Sequence, residues 1–157
     1  MRKRIIGPGP REVAAAEPGW IDLDLLAQVE ITSEEADYPI ESALIPGTGL
    51  GWRAAQPGEQ TIRLLFDEPL SLRRIHLMFH EGEQERTQEF VLRWSPDGGQ
   101  SYREIVRQQY NFSPPEATRE VENYEIDLDG VTALELKIVP DISGGRAHAS
   151  LAQLRVG

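Results

Sequence analysis

Residues 107–112, "RQQYNF", combine two kinds of side chain that suit the binding of a polar ligand. The guanidinium of Arg107 and the amides of Gln109 and Asn111 are planar and form several hydrogen bonds at once. Tyr110 and Phe112 add flat aromatic faces. A saccharide presents vicinal hydroxyls and an apolar ring face, so this stretch predicts a saccharide site. The alternative is that both rings close the end of the fold while the amides bond loop backbone.

Three further residues are candidates for ligand contact. Arg86, in "QERTQEF", has the geometry to bind a carboxylate or sugar hydroxyls, and the alternative is a structural salt bridge to one of the neighbouring glutamates. Asp141 and Arg146 flank the glycine pair 144–145 in "PDISGGRAHA". This segment is either an adaptable ligand loop or a solvated connection.

The stretch "WSPDGGQSY", residues 94–102, raises the question of a glycosidase. Its order Ser-x-Asp-x-Gly-x-Ser-aromatic resembles the Asp-box, a hairpin signature repeated in sialidases. A propeller would need one box per blade, and this chain has one box and no internal repeat. Asp97 is able to accept backbone hydrogen bonds, while Gly98 and Gly99 supply positive φ. We therefore interpret the motif as a turn.

Composition excludes several functions. The chain has 157 residues, a formal net charge of −10 and no cysteine, so nucleic acid is not an expected partner and disulfides and thiolate chemistry are ruled out. Glu120 and Glu122 fall on one face of a predicted strand, where we expect them to be solvated. No nucleophile–base pair, phosphate loop or spaced metal motif is present, so we predict no catalysis.

The start of the chain predicts an irregular leader over residues 1–25, before a single domain over 26–157. "MRKRII" is followed by glycine and proline, which leaves too short an apolar run for a secretory signal. No run of about 18 apolar residues exists to cross a membrane. We expect a cytoplasmic protein with no membrane partner.

Period-two alternation of apolar residues dominates the chain from residue 28 onward. It is clearest over residues 61–66, 74–79, 90–94, 124–128 and 134–138. Such alternation predicts strands with one buried and one wet face. About eight strands and no helix of ten residues indicate an all-β fold, a single-domain antiparallel β-sandwich of the jelly-roll type.

The connections between these strands are unequal in length. Three read as tight turns, namely "DEPLS", "SPDGG" and "LDGVT". Four are long: residues 33–58, "HEGEQERT", "QYNFSPPEA" and "PDISGGRAHA". Because successive antiparallel strands reverse direction, short and long connections that alternate fall at opposite ends of a sandwich. We therefore expect all four long segments at one end, where a rigid scaffold presents binding loops.

The ordered pattern resembles the galactose-binding-like superfamily, the jelly roll of discoidin (coagulation factor type C) domains and many carbohydrate-binding modules. The matching stretches, from residue 28 to the C-terminus, are "ITSEEADYPIESAL", "GLGWRA", "GEQTIRLLFDEPLSLRRIHLMF", "EFVLRWSPDGGQSYREI", "YEIDLDGVTALELKIV" and "ASLAQLRV". The resemblance implies that Trp52 is a packed anchor of its loop. This chain departs from discoidin domains in lacking the disulfide that often ties their ends.

Calcium is the one cofactor that the resemblance raises, because carbohydrate-binding relatives often hold it with a carboxylate in the last strand. The comparable position here is Gln153, a neutral and poorer ligand, so no cofactor is expected. Glu34, Glu35 and Asp37 remain as oxygen donors that could contribute to such a site.

The sequence therefore predicts a non-catalytic ligand-binding module with a carbohydrate as the default ligand. Binding is expected to be weak, on the order of micromolar to millimolar, because the contacts are few. The alternative is an intracellular protein–protein interaction module of the same fold, since function does not follow from fold. The sequence gives no oligomeric state.

Overall fold

A computed structural model describes residues 19–47 and 49–157 of the chain. Residues 1–18, most of the predicted leader, lie outside the described residues, as does residue 48. The elements in chain order are α1 (Leu23–Leu26), β1 (Ala27–Ile31), α2 (Glu41–Leu44), β2 (Trp52–Pro57), β3 (Gln60–His80), β4 (Arg86–Ser95), β5 (Arg103–Phe112), β6 (Arg119–Val139), β7 (His148–Leu151) and β8 (Gln153–Val156).

The alternating apolar residues form strands as predicted. In β3, Ile62, Leu64 and Phe66 are buried while their neighbours are partly or fully exposed, and the same alternation returns at Ile75 and Leu77. Each buried aliphatic or aromatic side chain of this size contributes about 1.5–3 kcal/mol to folding. Only two helices occur among the described residues, each of four residues. The protein is an all-β fold.

The strands form an antiparallel sandwich in which β3 and β6 each contribute to both layers. The first layer has the order β1, β3, β6, β4, β5 and uses the first half of β3 with the second half of β6. The second layer pairs residues 74–80 of β3 with residues 119–125 of β6, and β8 lies on the other side of β3. A separate pair, β2 with β7, completes the fold. Phe79 and Phe90 stack between the layers with ring centroids 5.2 Å apart.

Two of the three predicted tight turns are wrong. "DEPLS" lies inside β3 and "LDGVT" inside β6, where each strand bends from one layer into the other. Register shifts between Leu65 and Leu70 and between Leu70 and Leu72 mark this bend. The strand halves before and after it therefore do not form a hairpin with each other, because each pairs with β6. Proline and glycine predicted a chain reversal where the backbone only changes layers.

The third turn, residues 95–99, is confirmed. Ser95 Oγ accepts a hydrogen bond from Gly99 N at 2.9 Å, and Asp97 Oδ1 accepts one from Ser101 N at 2.9 Å. Gly98 and Gly99 have φ values of 72° and 92°, which an L side chain rarely adopts. Hydrogen bonds from Ser101 and then Ser95 lower the pKa of Asp97 to about 2. The motif is a turn that its own side chains hold.

The strand ends that border the long connections lie at one end of the sandwich, as predicted. We call this end the loop pole and define it as residues 32–51, 58–59, 81–87, 111–118 and 140–147. Glu81 N bonds Thr118 O at 2.8 Å, and Ile142 N bonds Thr87 O at 2.9 Å. Gly58 N bonds Ala147 O at 3.2 Å. The predicted boundaries differ from those observed, because β2 lies within the first long segment and β5 extends to Phe112.

The residues before β1 pack against the sandwich. Ile21 N donates to Val156 O at 2.7 Å, and Leu23 is 3% exposed. Trp52 is buried and donates from Nε1 to Ser33 O at 3.0 Å, which confirms its role as the anchor of the first long segment. None of the described helices has the length and apolar character needed to span a bilayer.

Candidate functional site

The "RQQYNF" stretch lies in β5, and the pleat separates its two kinds of side chain. Residues 107, 109 and 111 pair with Val91, Glu89 and Thr87 of β4. Residues 107, 109 and 111 are exposed on the outer face of the sheet. Tyr110 and Phe112 point to the other face, toward the interior of the sandwich. The aromatic rings and the planar polar groups therefore do not form one surface. The prediction that they act together is wrong, because the segment is a strand and not a loop.

Arg107 and Gln109 form a polar patch with one carboxylate. Arg107 Nη1 donates to Glu89 Oε1 at 2.6 Å, and Gln109 Nε2 donates to Glu89 Oε2 at 2.8 Å. These hydrogen bonds, Gln109 first, lower the pKa of Glu89. The group is exposed on the outer face of the first layer and lies below the loop pole.

Phe112 and Tyr110 serve the structure at the loop pole. Phe112 is fully buried, and the Tyr110 ring packs edge-on against it with centroids 4.9 Å apart. The guanidinium of Arg86 lies over the other side of Phe112, 4.7 Å from its centroid. This arrangement corresponds to the alternative in which the aromatic residues close the end of the fold.

Arg86 is buried and anchors loop-pole segments from the inside. Its Nε donates to Glu81 Oε1 at 2.7 Å, and its Nη1 donates to Pro140 O at 2.8 Å and to Gln88 Oε1 at 3.2 Å. Burial raises the pKa of Glu81, but the hydrogen bond from Arg86 and those from backbone N–H groups outweigh it and leave that pKa below its ordinary value. With its side chain 1% exposed, Arg86 positions loops and does not face a ligand.

Asn111 and Asp141 are brought together around one residue of β4. Asn111 Oδ1 accepts a hydrogen bond from Thr87 Oγ1 at 2.7 Å, and Thr87 O accepts one from Ile142 N at 2.9 Å. Asp141 Oδ1 accepts hydrogen bonds from the hydroxyl and N–H of Ser143, and these contacts lower its pKa. The exposed amide of Asn111 and the carboxylate of Asp141 therefore lie on the two sides of Thr87 at the loop pole. Arg146 lies exposed farther along the same loop.

Glu120 and Glu122 are not the solvated pair that the sequence predicted. Glu120 is 2% exposed, accepts one hydrogen bond from Gln88 Nε2 at 3.1 Å, and its Oε2 is buried with no partner. Burial and then the charge of Glu122 raise the pKa of Glu120 to about 7. Tyr124 donates to Glu122 Oε2 at 3.1 Å, and burial raises the tyrosine pKa. The correction has a simple cause, since this strand face points into the sandwich.

Two of the oxygen donors considered for calcium, Glu34 and Glu35, already have partners within the protein. Glu34 Oε2 accepts a hydrogen bond from Ile40 N at 2.9 Å, and Glu35 forms an ion pair with Arg53 at 3.4 Å. Gln153 Oε1 lies 3.2 Å from His76 Nε2. Over residues 19–47 and 49–157, no cluster of three acidic or histidine side chains has the geometry to hold a metal ion.

Sequence reasoning missed one group of side chains on the outer face of the second layer. Trp20, His76, Asn123 and Gln153 are far apart in sequence but lie together across β3, β6 and β8. No local motif signals this group, because pairing between distant strands creates it. An open groove of about 370 Å³ on the first layer was also not foreseen; its lining residues are Glu30, Ile31, Thr32, Thr61 and Arg63.

Comparison with known proteins gives a fold and no sequence family. No family model matches the chain, and no curated protein matches it. Among solved structures, the family 32 carbohydrate-binding module from C. perfringens NanJ in complex with galactose has a TM-score of 0.60 and 16% identity, over 83% of this chain and 92% of that one.

Two further structures have the same architecture. The CpGH89CBM32-5 module from Clostridium perfringens, in complex with GalNAc-β-1,3-galactose, is 19% identical with a TM-score of 0.60, over 83% of this chain and 94% of that one. A chitosan-binding module from a Paenibacillus sp. IK-5 chitosanase/glucanase is 13% identical with a TM-score of 0.59, over 87% of this chain and 98% of that one. The chain therefore has the galactose-binding-like fold that the sequence pattern indicated.

Proposed function

We propose that this chain is a non-catalytic carbohydrate-binding module that contacts its ligand at the loop pole. The observation that carries the proposal is the position of Thr87, whose hydroxyl donates to Asn111 of β5 and whose carbonyl accepts from Ile142, the residue after Asp141. An exposed amide and a carboxylate on the two sides of Thr87 are groups that form hydrogen bonds to sugar hydroxyls. Gln109 lies on the same face of β5 as Asn111, and Arg146 is exposed in the same loop as Asp141.

The structural relatives support a saccharide as the ligand class. The names of two of them record bound galactose and GalNAc-β-1,3-galactose. The exposed position of Asn111 leaves its amide N–H groups accessible to a ligand, whereas the buried Arg86 below it holds the loops in place. A rigid platform with few direct contacts predicts weak affinity, on the order of micromolar to millimolar.

A glycan array with the folded protein, followed by calorimetry on each positive saccharide, tests the proposal. Asn111→Ala and Asp141→Asn should each weaken binding about tenfold, since each removes a hydrogen bond or its charge. Gln100→Ala, an exposed change beside the turn at residues 95–99, is the control and should leave the affinity unchanged. A folded protein that binds no saccharide contradicts the proposal and makes the protein–protein interaction module the better interpretation.

A further inference from the structure

The outer face of the second layer carries a group of side chains with the composition of a saccharide site. We define the sheet-face platform as Trp20, Arg74, His76, Asn123 and Gln153. Asn123 of β6 lies directly opposite His76, Arg74 lies two residues from His76 along β3, and Gln153 reaches the His76 side chain from β8. Planar amides, a guanidinium and an indole therefore share one face, whereas the pleat divides such groups in β5.

The imidazole of His76 lies between the side-chain amides of Asn123 and Gln153. His76 Nδ1 lies 2.8 Å from Asn123 Oδ1, and His76 Nε2 lies 3.2 Å from Gln153 Oε1. A neutral imidazole donates from one ring nitrogen and accepts at the other, so it binds one amide through its carbonyl oxygen and the other through an N–H group; only an imidazolium donates to both oxygens. Neither amide has another hydrogen-bond partner among the residues that the structure describes. The platform thus offers amide N–H groups, held in place by His76, at an accessible surface.

An aromatic ring borders these donors. The Trp20 ring centroid lies 6.3 Å from that of His76, and the Arg74 guanidinium stacks on the indole at 3.7 Å. This stacking fixes the ring orientation, and the indole remains partly exposed. Val121, on the same face, is 44% exposed and adds apolar surface. Oriented donors beside an aromatic edge and an apolar patch match the hydroxyl and C–H surfaces of a pyranose.

We propose that the sheet-face platform is a second saccharide site, separate from the loop pole and selective for neutral sugars. The proposal rests on the proposed function for its ligand class and differs from it in location. Neutral sugars are favoured because the amides carry no charge, while the guanidinium of Arg74 stacks on Trp20 and has the exposed Glu125 opposite it to offset its charge. Two sites on one module raise the effective affinity for a chain that reaches both.

The test is a titration of the ¹⁵N-labelled protein with galactose and with GalNAc-β-1,3-galactose, followed by heteronuclear NMR. The platform should respond with saturable shifts of the Asn123 and Gln153 side-chain amides and the Trp20 indole N–H. The variant Asn123→Asp/Gln153→Glu keeps both oxygens beside His76 but removes both donor groups. It should lose about tenfold in affinity at the platform and leave shifts at the loop pole unchanged. Unchanged circular dichroism confirms that the variant folds.

The matched control is Asn111→Asp, the same chemical change at the loop pole. It should weaken shifts around Thr87 and leave those of the platform intact. Shifts confined to the loop pole in the unmodified protein would overturn the second site and leave the proposed function standing. Platform shifts that survive the double variant would overturn the role of the amides. An absence of saturable shifts everywhere would overturn both proposals.

Discussion

Strand β6 carries two glutamates that are almost completely buried and have opposite surroundings. Glu135 is 0% exposed and lies between Arg63 and Arg93 in the first layer. Glu120 is 2% exposed, and its one hydrogen bond comes from the neutral amide of Gln88. The same residue type, on the same strand and at the same depth, is therefore held in one case by two cations and in the other by none.

The difference follows from which residues the register places beside each carboxylate. On the outer face of the first layer, one row across five strands alternates in charge: Glu30, Arg63, Glu135, Arg93 and Glu104. Burial alone raises the pKa of Glu135, but hydrogen bonds from the two arginines outweigh it and leave the pKa below its ordinary value. Charge is tolerated there because every neighbour in the row has the opposite sign.

Glu120 lies on the inner face, where its nearest ionisable neighbour along the strand is Glu122. Burial, then the like charge of Glu122, raises its pKa from 4.5 to about 7. The charge of Arg86 lowers the pKa but does not compensate. Burial thus raises the free energy of both carboxylates in their charged form. The neighbouring groups then determine whether each carboxyl group is charged or protonated in the folded protein.

The largest expected effect comes from neutralising the paired glutamate. Glu135→Gln should lower the free energy of unfolding by about 3 kcal/mol, because it breaks the interaction of a buried carboxylate with both Arg63 and Arg93. This loss is small for a buried ionic network because the side chains of Arg63 and Arg93 are both partly exposed to solvent. Urea unfolding at pH 7 measures it. Glu30→Gln, at the exposed end of the same row, is the control; equal losses in both variants would contradict the comparison.

The unpaired glutamate should respond in the opposite direction. Glu120→Gln should raise the free energy of unfolding by about 2 kcal/mol at pH 8, because it removes a buried charge. The new amide retains an oxygen for Gln88 Nε2 and gains N–H groups that face Glu122. Urea unfolding beside Glu125→Gln, an exposed change on the outer face of β6, measures the effect. Destabilisation at pH 8 would show that Glu120 is stabilised as an anion.

The pH dependence separates the two glutamates further. A carboxyl group whose folded pKa is raised contributes stability that is present below the unfolded value of 4.5 and is lost as pH rises through about 7. The unmodified protein should therefore lose about 1–2 kcal/mol between about pH 5 and pH 8 relative to Glu120→Gln. Glu135, whose pKa is lowered, contributes stability that is lost only as pH falls below its ordinary range. Parallel stability curves for the two proteins between pH 5 and pH 8 would contradict the assignment.

Much of the fold follows from local sequence pattern, whereas the paths of two long strands do not. Alternation along β3 and β6 predicted the buried faces, and "SPDGG" predicted a turn from its own hydrogen-bonding groups. "DEPLS" and "LDGVT" have the composition of turns but are bends between layers. A bend and a hairpin use the same residues, and only pairing with a distant strand distinguishes them.

The site residues were harder to predict because their neighbours come from other strands. The prediction that Arg86 contacts a ligand is not what the structure shows, and the salt-bridge alternative is the one observed, with Glu81 close in sequence. Glu120 was placed in solvent because the alternation that assigns it to a face does not say which face is inside. His76, Asn123 and Gln153 meet only through strand pairing, which a single sequence does not reveal.

The smallest expected effect comes from an ion pair that resembles the Glu135 network but lies in solvent. Arg107 bonds Glu89 at 2.6 Å and Glu104 at 3.1 Å, yet its side chain is 54% exposed. Arg107→Gln should leave the urea midpoint unchanged within error, because water and salt replace most of such an interaction. A loss comparable to that of Glu135→Gln would mean that hydrogen-bond geometry, rather than burial with cationic partners, sets the stability of this face.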